Sequence, residues 1–299
     1  MARTVPGKGL NVRSLVLDAA GRLERAGVSF GHGTTNAIDE AAWLVLHSLG
    51  LPVSELGPHL DLAVDDAHAK LANALVAKRI RTRKPAAYLL KEAWLGPHRF
   101  HVDENVIVPR SFIAELLRAR LVPWIAKPAR VGSVLDLCTG SGCLAIVAAL
   151  AFPKASVDAA ELSPRALSVA RKNVAAYGMG GRVRLVRSDL FAALAGRTYD
   201  LIVSNPPYVK AAAMRRLPEE YRREPEMALA SGADGLAHTR AILAQARQHL
   251  NPGGLLVVEI GHNRRALERA FPHAPFQWPD LSAGPGYVIV LGRDDPGFP

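Results

Sequence analysis

Cysteine is nearly absent. Only Cys138 and Cys143 occur in 299 residues, on either side of a glycine loop, and both read as small buried side chains. A disulfide framework and a cysteine metal centre are therefore set aside. No apolar run approaches the ~20 residues that span a bilayer. Residues 1–10 carry no long apolar segment of the kind that marks a secretory leader. Internal repeats and low-complexity tracts are also missing. Acidic residues are in short supply: 27 Asp and Glu stand against 37 Lys and Arg, a formal charge of +10. Such a balance fits an acidic or nucleic-acid-bearing partner. The basic residues concentrate in only two places, residues 78–84 and the stretch from Arg215-Arg216 to Arg222-Arg223, and a solvated face accounts for either nearly as well.

Hydrophobic residues make up 49% and charged residues 21% of the chain, the balance of a globular protein with no membrane span. Its length suits a small domain followed by a medium one. A cytoplasmic enzyme is the expected class.

Residues 11–95 read as helical. Leu15, Leu17, Ala20, Leu23 and Ala26 form an apolar stripe that ends at Gly27. A second helix is expected after Gly31-His32-Gly33, with Thr35 or Asn36 as its cap, stopping at Gly50-Leu51-Pro52. A third, over 66–83, carries Leu71, Leu75, Val76 and Ile80 at helical spacing. Residues 96–110 read as a connector, with a hairpin pairing 100–103 with 105–108. From 111 to 299 the rhythm is strand, loop, helix, repeated, with strands over 131–137, 156–160, 183–186, 201–203, 255–260 and 287–291. This alternation predicts an α/β fold with a mostly parallel sheet and helices on both faces. Residues 294–299 are expected to fray.

Four features carry chemistry, and they follow successive strands. The loop Asp136-Leu137-Cys138-Thr139-Gly140-Ser141-Gly142-Cys143 leaves room for a ligand close to the backbone. With Ala145 it also satisfies the G-x-G-x-x-A dinucleotide pattern. Asp136 favours the cationic amino-acid end of S-adenosylmethionine over a pyrophosphate, which it would repel. Glu161 ends the second strand, where an acid accepts hydrogen bonds from ribose hydroxyls of either type of cofactor. Asp189 is placed to meet an adenine amino group or, equally, to cap a helix. Last comes Ser204-Asn205-Pro206-Pro207-Tyr208. The Asn205 side-chain carbonyl and the Pro206 main-chain carbonyl are acceptors, and neither proline has an N–H to donate. Such a pocket suits a planar NH2 group, with Tyr208 as an aromatic wall. Two acceptors holding an amide's N–H groups orient its lone pair and favour the charge that develops on nitrogen. No strong base stands beside the motif.

With these motifs the chain resembles the HemK/Prm family of protein-glutamine N(5)-methyltransferases over nearly its whole length. The likeness includes Phe30-Gly31-His32-Gly33-Thr34, Arg83-Lys84-Pro85-Ala86-Ala87-Tyr88-Leu89, Val108-Pro109-Arg110-Ser111, Leu217-Pro218, Glu224-Pro225 and Gly232-Ala233-Asp234-Gly235-Leu236. Ser111 resembles the branch that modifies a large-subunit ribosomal protein, since release-factor-modifying relatives carry Pro there. Phe112 departs from the Pro expected next in that branch. The resemblance implies a class I, Rossmann-like fold over 111–299 behind a small helical substrate-recognition domain over 1–95. It implies methyl transfer from S-adenosylmethionine, leaving S-adenosylhomocysteine, to a glutamine of the third large-subunit ribosomal protein, free or in a precursor particle, with ribosomal RNA nearby and no metal. By the same likeness Asn205, Pro206, Pro207 and Tyr208 hold the glutamine. Asp136, Thr139, Gly140, Gly142, Glu161, Asp189 and Asn205 bind the cofactor, and Phe100 and Arg110 border the site. The competing readings are methylation of a release factor, methylation of DNA adenine, and an assembly factor that only binds S-adenosylmethionine.

Overall fold

The computed structural model describes residues 10–53 and 55–299. The reading that residues 1–10 hold no secretory leader lies outside these, Leu10 excepted. Two compact units emerge, one made of the chain up to Glu92 with Pro218–Arg223, the other of Ala93–Leu217 with Glu224–Pro299. The stretch 96–110, read as a separate connector, belongs to the second unit.

The first unit is built from α1 (Val12–Arg25), α2 (Ala37–Ser48), α3 (Leu56–His59), α4 (Asp66–Thr82) and α5 (Ala86–Leu90). Asn11 starts α1 as a capping box: its side chain accepts the Ser14 N–H at 2.9 Å, and the Ser14 hydroxyl accepts the Asn11 N–H at 3.1 Å. Asn36, rather than Thr35, caps α2, accepting the Asp39 N–H at 2.9 Å. The buried faces differ from the expected stripes. On α1 the face is Val12, Leu15, Val16, Ala19, Ala20 and Leu23, and Leu17 is 57% exposed. On α4 it is Ala69, Ala72, Val76 and Arg79, and Leu71 is 56% exposed. The expected stripe followed the large apolar residues and shares only Val76 with this face, whose other members are two alanines and an arginine.

Arg79 is completely buried. Its Nε donates to Glu40 Oε1 at 2.7 Å, Nη1 to Glu220 Oε1 at 3.3 Å and Nη2 to the Ser29 carbonyl at 2.9 Å. Arg83 Nη1 reaches the same Glu220 oxygen at 3.2 Å. Burial drives the Glu40 carboxyl above its usual range against the pull of Arg79. Burial also works against Glu220, but backbone N–H groups and Arg79 outweigh it and hold that carboxyl low. Two cations of the 78–84 cluster are thus consumed inside the unit.

The second unit opens within a hairpin, β1 (Glu92–Leu95, of which Glu92 belongs to the first unit) against β2 (His98–His101), turning at Gly96 in the left-handed region. The pairing expected between 100–103 and 105–108 does not form: residues 105–108 are an irregular wall. The six-stranded sheet contains β3 (Ser133–Leu137), β4 (Ser156–Glu161), β5 (Val183–Arg187), β6 (Tyr199–Ser204), β7 (Leu250–Glu259) and β8 (Val288–Gly292). Their order is β5-β4-β3-β6-β7-β8, parallel except for β8, which pairs antiparallel with β7. Around the sheet lie α6 (Ile113–Arg118), α7 (Cys143–Ala151), α8 (Pro164–Ala176), α9 (Ala211–Met214), α10 (Ala237–Ala246) and α11 (Arg264–Ala270).

Because β3 and β6 are buried on both faces, their residues alternate between two apolar cores. Val134, Leu201 and Val203 join Ile146, Phe152 and Leu117 in one. Leu135, Leu137 and Ile202 join Phe191, Ile242 and Leu291 in the other. Residues 294–299, expected to fray, are instead anchored: Asp295 accepts the Gly292 N–H at 2.8 Å, and Phe298 is buried in the second core. From β3 the chain winds outward to β4 and β5, then crosses back to β6. The carboxyl ends of β3, β4 and β6 therefore frame the switch point where open α/β sheets bind ligands.

Candidate active site

A cleft of about 230 Å³ opens at this switch point. Gly140, Glu161, Asp189, Asn205 and Pro207 line it, together with Cys138 and Ser188. Five residues singled out from the sequence thus meet although they are spread over 68 positions, 140 to 207.

The glycine loop is held open from below. Cys138, Gly140 and Gly142 all take positive φ, and a Cβ on Gly142 would stand 3.2 Å from the Ala170 Cβ of α8. Asp136 is completely buried under the loop and does not line the cleft. Its Oδ2 accepts the Thr139 hydroxyl at 2.5 Å and the Ala145 N–H at 2.9 Å, which fixes the turn into α7. Burial pushes the Asp136 carboxyl up to about 7, with the charge of Glu161 adding to the effect. The carboxylate expected to touch a ligand's cationic end is instead the brace of the loop. Thr139 and Gly142 share that supporting role, and Thr139 also lines a narrow cleft beside Arg110. Glu161 Oε2 accepts the Gly140 N–H at 3.0 Å and Oε1 the Ser163 N–H at 2.9 Å. Each of these oxygens keeps a lone pair for the cleft. Asp189 caps no helix. The turn there is made by Ser188, whose hydroxyl donates to the Leu190 carbonyl at 2.7 Å and accepts the Ala193 N–H at 3.0 Å.

Asn205 is the pivot. It lines the main cleft and also a narrow pocket shared with Ile107, Arg110, Pro206, Tyr208 and Val209. Its Oδ1 is buried with no hydrogen-bond partner, as is Asp136 Oδ1. An uncompensated buried acceptor costs about 1–3 kcal/mol, so such an atom is a place prepared for a donor. Among the described residues no group of His, Cys, Asp or Glu side chains is arranged to hold a metal ion.

Two buried glutamates brace this narrow pocket: Glu224, quoted from the sequence with no role, and Glu259, not singled out at all. Glu224 grips Arg110 in a bidentate pair, at 2.7 and 2.6 Å, and accepts the Val108 N–H at 2.9 Å. Glu259, at the end of β7, accepts the Ser111 hydroxyl at 2.6 Å, the Phe112 N–H at 3.0 Å and the Tyr208 hydroxyl at 3.4 Å. Burial lifts the Glu259 carboxyl to about 7 and raises the Tyr208 phenol as well. Glu259 carries the same signal as Glu161, an acid ending an apolar strand, and could have been found by it. Backbone room around Tyr208 comes from glycine: a Cβ on Gly261 would stand 2.7 Å from its ring, and one on Gly235 would be 2.5 Å from its carbonyl oxygen. Asn263 Nδ2 donates to that carbonyl at 2.8 Å. Arg110 borders the site, as expected. Phe100 does not: it is buried in the core, stacked on Tyr177 at 5.4 Å. Asn173, also unforeseen, ties β2 to the glycine loop by donating to the carbonyls of His101 (3.0 Å) and Ser141 (2.8 Å).

The chain has counterparts among known proteins. The family model for the methyltransferase small domain matches residues 118–274. A ribosomal protein uL3 glutamine methyltransferase of Neisseria meningitidis serogroup B is 53% identical, covering 95% of this chain and 93% of its own. The protein of the same name from Burkholderia pseudomallei is 52% identical over 96% of each chain. That from Bradyrhizobium diazoefficiens is 43% identical, over 99% of this chain and 94% of its own. Among solved structures, the catalytic domain of hMettl16 matches with a TM-score of 0.51 at 13% identity, over 77% of this chain and 83% of that one, which speaks to the fold alone. The chain belongs to the methyltransferase small-domain family and, within it, to the family of the uL3 glutamine methyltransferases.

Proposed function

We propose that the protein methylates the side-chain amide nitrogen of a glutamine in ribosomal protein uL3, with S-adenosylmethionine as donor. The observation that carries this reading is the buried, partnerless Oδ1 of Asn205 at the junction of a wide cleft and a narrow pocket. The names of relatives at 43–53% identity supply the substrate.

S-adenosylmethionine brings a methyl group made electrophilic by its sulfonium. Glu161 would accept its ribose hydroxyls, Asp189 its adenine amino group, and the loop at Gly140 would give its backbone clearance, with Asp136, Thr139 and Gly142 holding that loop in shape. The glutamine amide would enter the narrow pocket. There the Asn205 side chain and the Pro206 carbonyl accept its two N–H groups, with Pro207 stiffening the turn and Tyr208 walling the plane. Holding both hydrogens turns the nitrogen lone pair toward the methyl group and stabilises the positive charge that grows on nitrogen. Transfer of that methyl group would leave S-adenosylhomocysteine, and the amide would give up one N–H proton to solvent. Glu259 keeps Tyr208 in place, and Glu224 does the same for Arg110. We place the reaction in the cytoplasm, where ribosomes assemble. No helix among the described residues is long and apolar enough to cross a membrane.

The test is to incubate the purified protein with tritiated S-adenosylmethionine and total ribosomal protein from a strain lacking it, then map the label by mass spectrometry. Label on a uL3 glutamine is expected. Label confined to a release factor or to DNA would overturn the substrate, and no label in any fraction would overturn the activity.

A further inference from the structure

A second concavity, of about 460 Å³, lies behind the Asn-Pro-Pro-Tyr loop. Its lining brings together Lys210, His262, Arg264, Arg265 and Arg269 from two separate stretches of chain, closed by Gly286 and Tyr287 from a third. No Asp or Glu is among the lining residues.

The walls are fixed. Ile260 N–H donates to the Tyr287 carbonyl at 2.8 Å, and the His262 ring stands edge-on to Tyr287 at 5.0 Å. Arg264 lies 4.5 Å over the Trp278 ring and donates to Glu268 at 2.9 Å. Gly286, at φ +104, allows the loop to close on Arg264, where a Cβ would meet Cδ at 3.0 Å. Glu268 compensates Arg264 only. Lys210, Arg265 and Arg269 are exposed and enter no ion pair among the described residues. A cavity of similar size beside β5 shows the contrast: there Arg184 and Arg197 share Asp158 and Arg182 donates to the Pro153 and Ala149 carbonyls, so each arginine already has a partner.

We propose that this notch binds the phosphates of RNA that accompanies the protein substrate. The proposal rests on the ribosomal reading above. A protein that lives on RNA is itself basic and would be repelled by three uncompensated cations, whereas its polyanionic companion would be drawn to them. Lys210 follows Tyr208 by two residues, so RNA held here lies next to the loop that grips the glutamine. A uL3 segment presented on ribosomal RNA would dock more tightly than the free protein.

The experiment uses the full chain and a fluorescein-labelled RNA hairpin of about 20 nucleotides, with binding followed by anisotropy across a salt series. The triple variant Lys210→Glu, Arg265→Glu, Arg269→Glu is compared with a charge-matched control, Arg81→Glu, Lys127→Glu, Lys154→Glu. Expected is at least a tenfold loss of affinity in the first variant and a fall of about 2 in the slope of log K against log salt, with the control close to the parent. Equal losses in both variants, or none in the first, would overturn the site. Equally effective competition by poly-glutamate of matching charge would make it a site for acidic protein and remove RNA. Methylation of free uL3 is measured alongside and should be unchanged in the first variant. If even the parent leaves uL3 unlabelled, the functional reading fails independently of the notch.

Discussion

Around Arg79 in the helical unit, three buried charged side chains and a main-chain carbonyl complete one another's hydrogen bonds. At the ends of β3 and β6, Asp136 Oδ1 and Asn205 Oδ1 are buried just as deeply and have no partner at all. Both arrangements cost desolvation, but only the first recovers it within the fold. The difference separates a polar cluster satisfied within the fold from isolated buried acceptors, and of these two only Asn205 lines the cleft. It also tells which substitutions should cost stability and which should cost chemistry.

Asn205→Leu tests the second half most sharply. Methyl transfer should fall by about 10²–10³-fold, the usual loss when one preorganised hydrogen-bonding group is removed. Thermal stability should hold or rise slightly, because a buried acceptor without a partner is gone. A variant that unfolds would erase the comparison. Adding Tyr208→Ala should abolish methylation while leaving S-adenosylmethionine affinity, measured by calorimetry, within a few-fold. Next in size is Arg79→Met, which strands Glu40 and leaves Glu220 with Arg83 alone. About 3–5 kcal/mol should be lost in urea denaturation, and the added change Glu40→Gln should return part of it.

The pH dependence comes third. Glu259 has a folded pKa of about 7 against an ordinary 4.5, so its protonated form favours the folded state. That contribution is complete below the unfolded value and disappears as pH rises through about 7. Between about pH 5 and pH 8 the parent should lose roughly 3 kcal/mol from this group, and Glu259→Gln should flatten the profile by that amount. Asp136 acts in the same direction and leaves a residual slope. Smallest is Leu71→Gln on the exposed side of α4, expected to move stability by no more than about 0.5 kcal/mol. A larger loss would mean that the buried face of that helix is wrong.

The sheet was readable because its strands are short apolar runs punctuated by turn residues, and its catalytic-end residues because each follows such a run. Glu161 and Asn205 are found that way, and Asn36 by its place ahead of a helix. Long-range pairing leaves no local trace. Nothing near Arg110 announces Glu224, 114 residues away, and nothing in the 78–84 cluster distinguishes the buried Arg79 from its solvated neighbours. The hairpin shifted for a related reason: residues 105–108 alternate like a strand, but Asn105 and Val106 turn back on Asp103, so no ladder starts. For Asp136 the position was legible and the partner was not, since its oxygen is taken by the loop it was expected to serve through a ligand.

The six residues Pro218–Arg223 belong to the helical unit although almost the whole methyltransferase sheet precedes or surrounds them in the chain. Glu220, within that excursion, is one of the two carboxylates on Arg79. A gene cut after residue 92 would therefore encode a bundle with half of its buried counter-charge missing. The two units look like separable modules on a linear map, yet separating them at residue 92 takes from Arg79 one of its two carboxylates. For anyone grafting this helical unit onto another domain, the smallest portable piece is discontinuous.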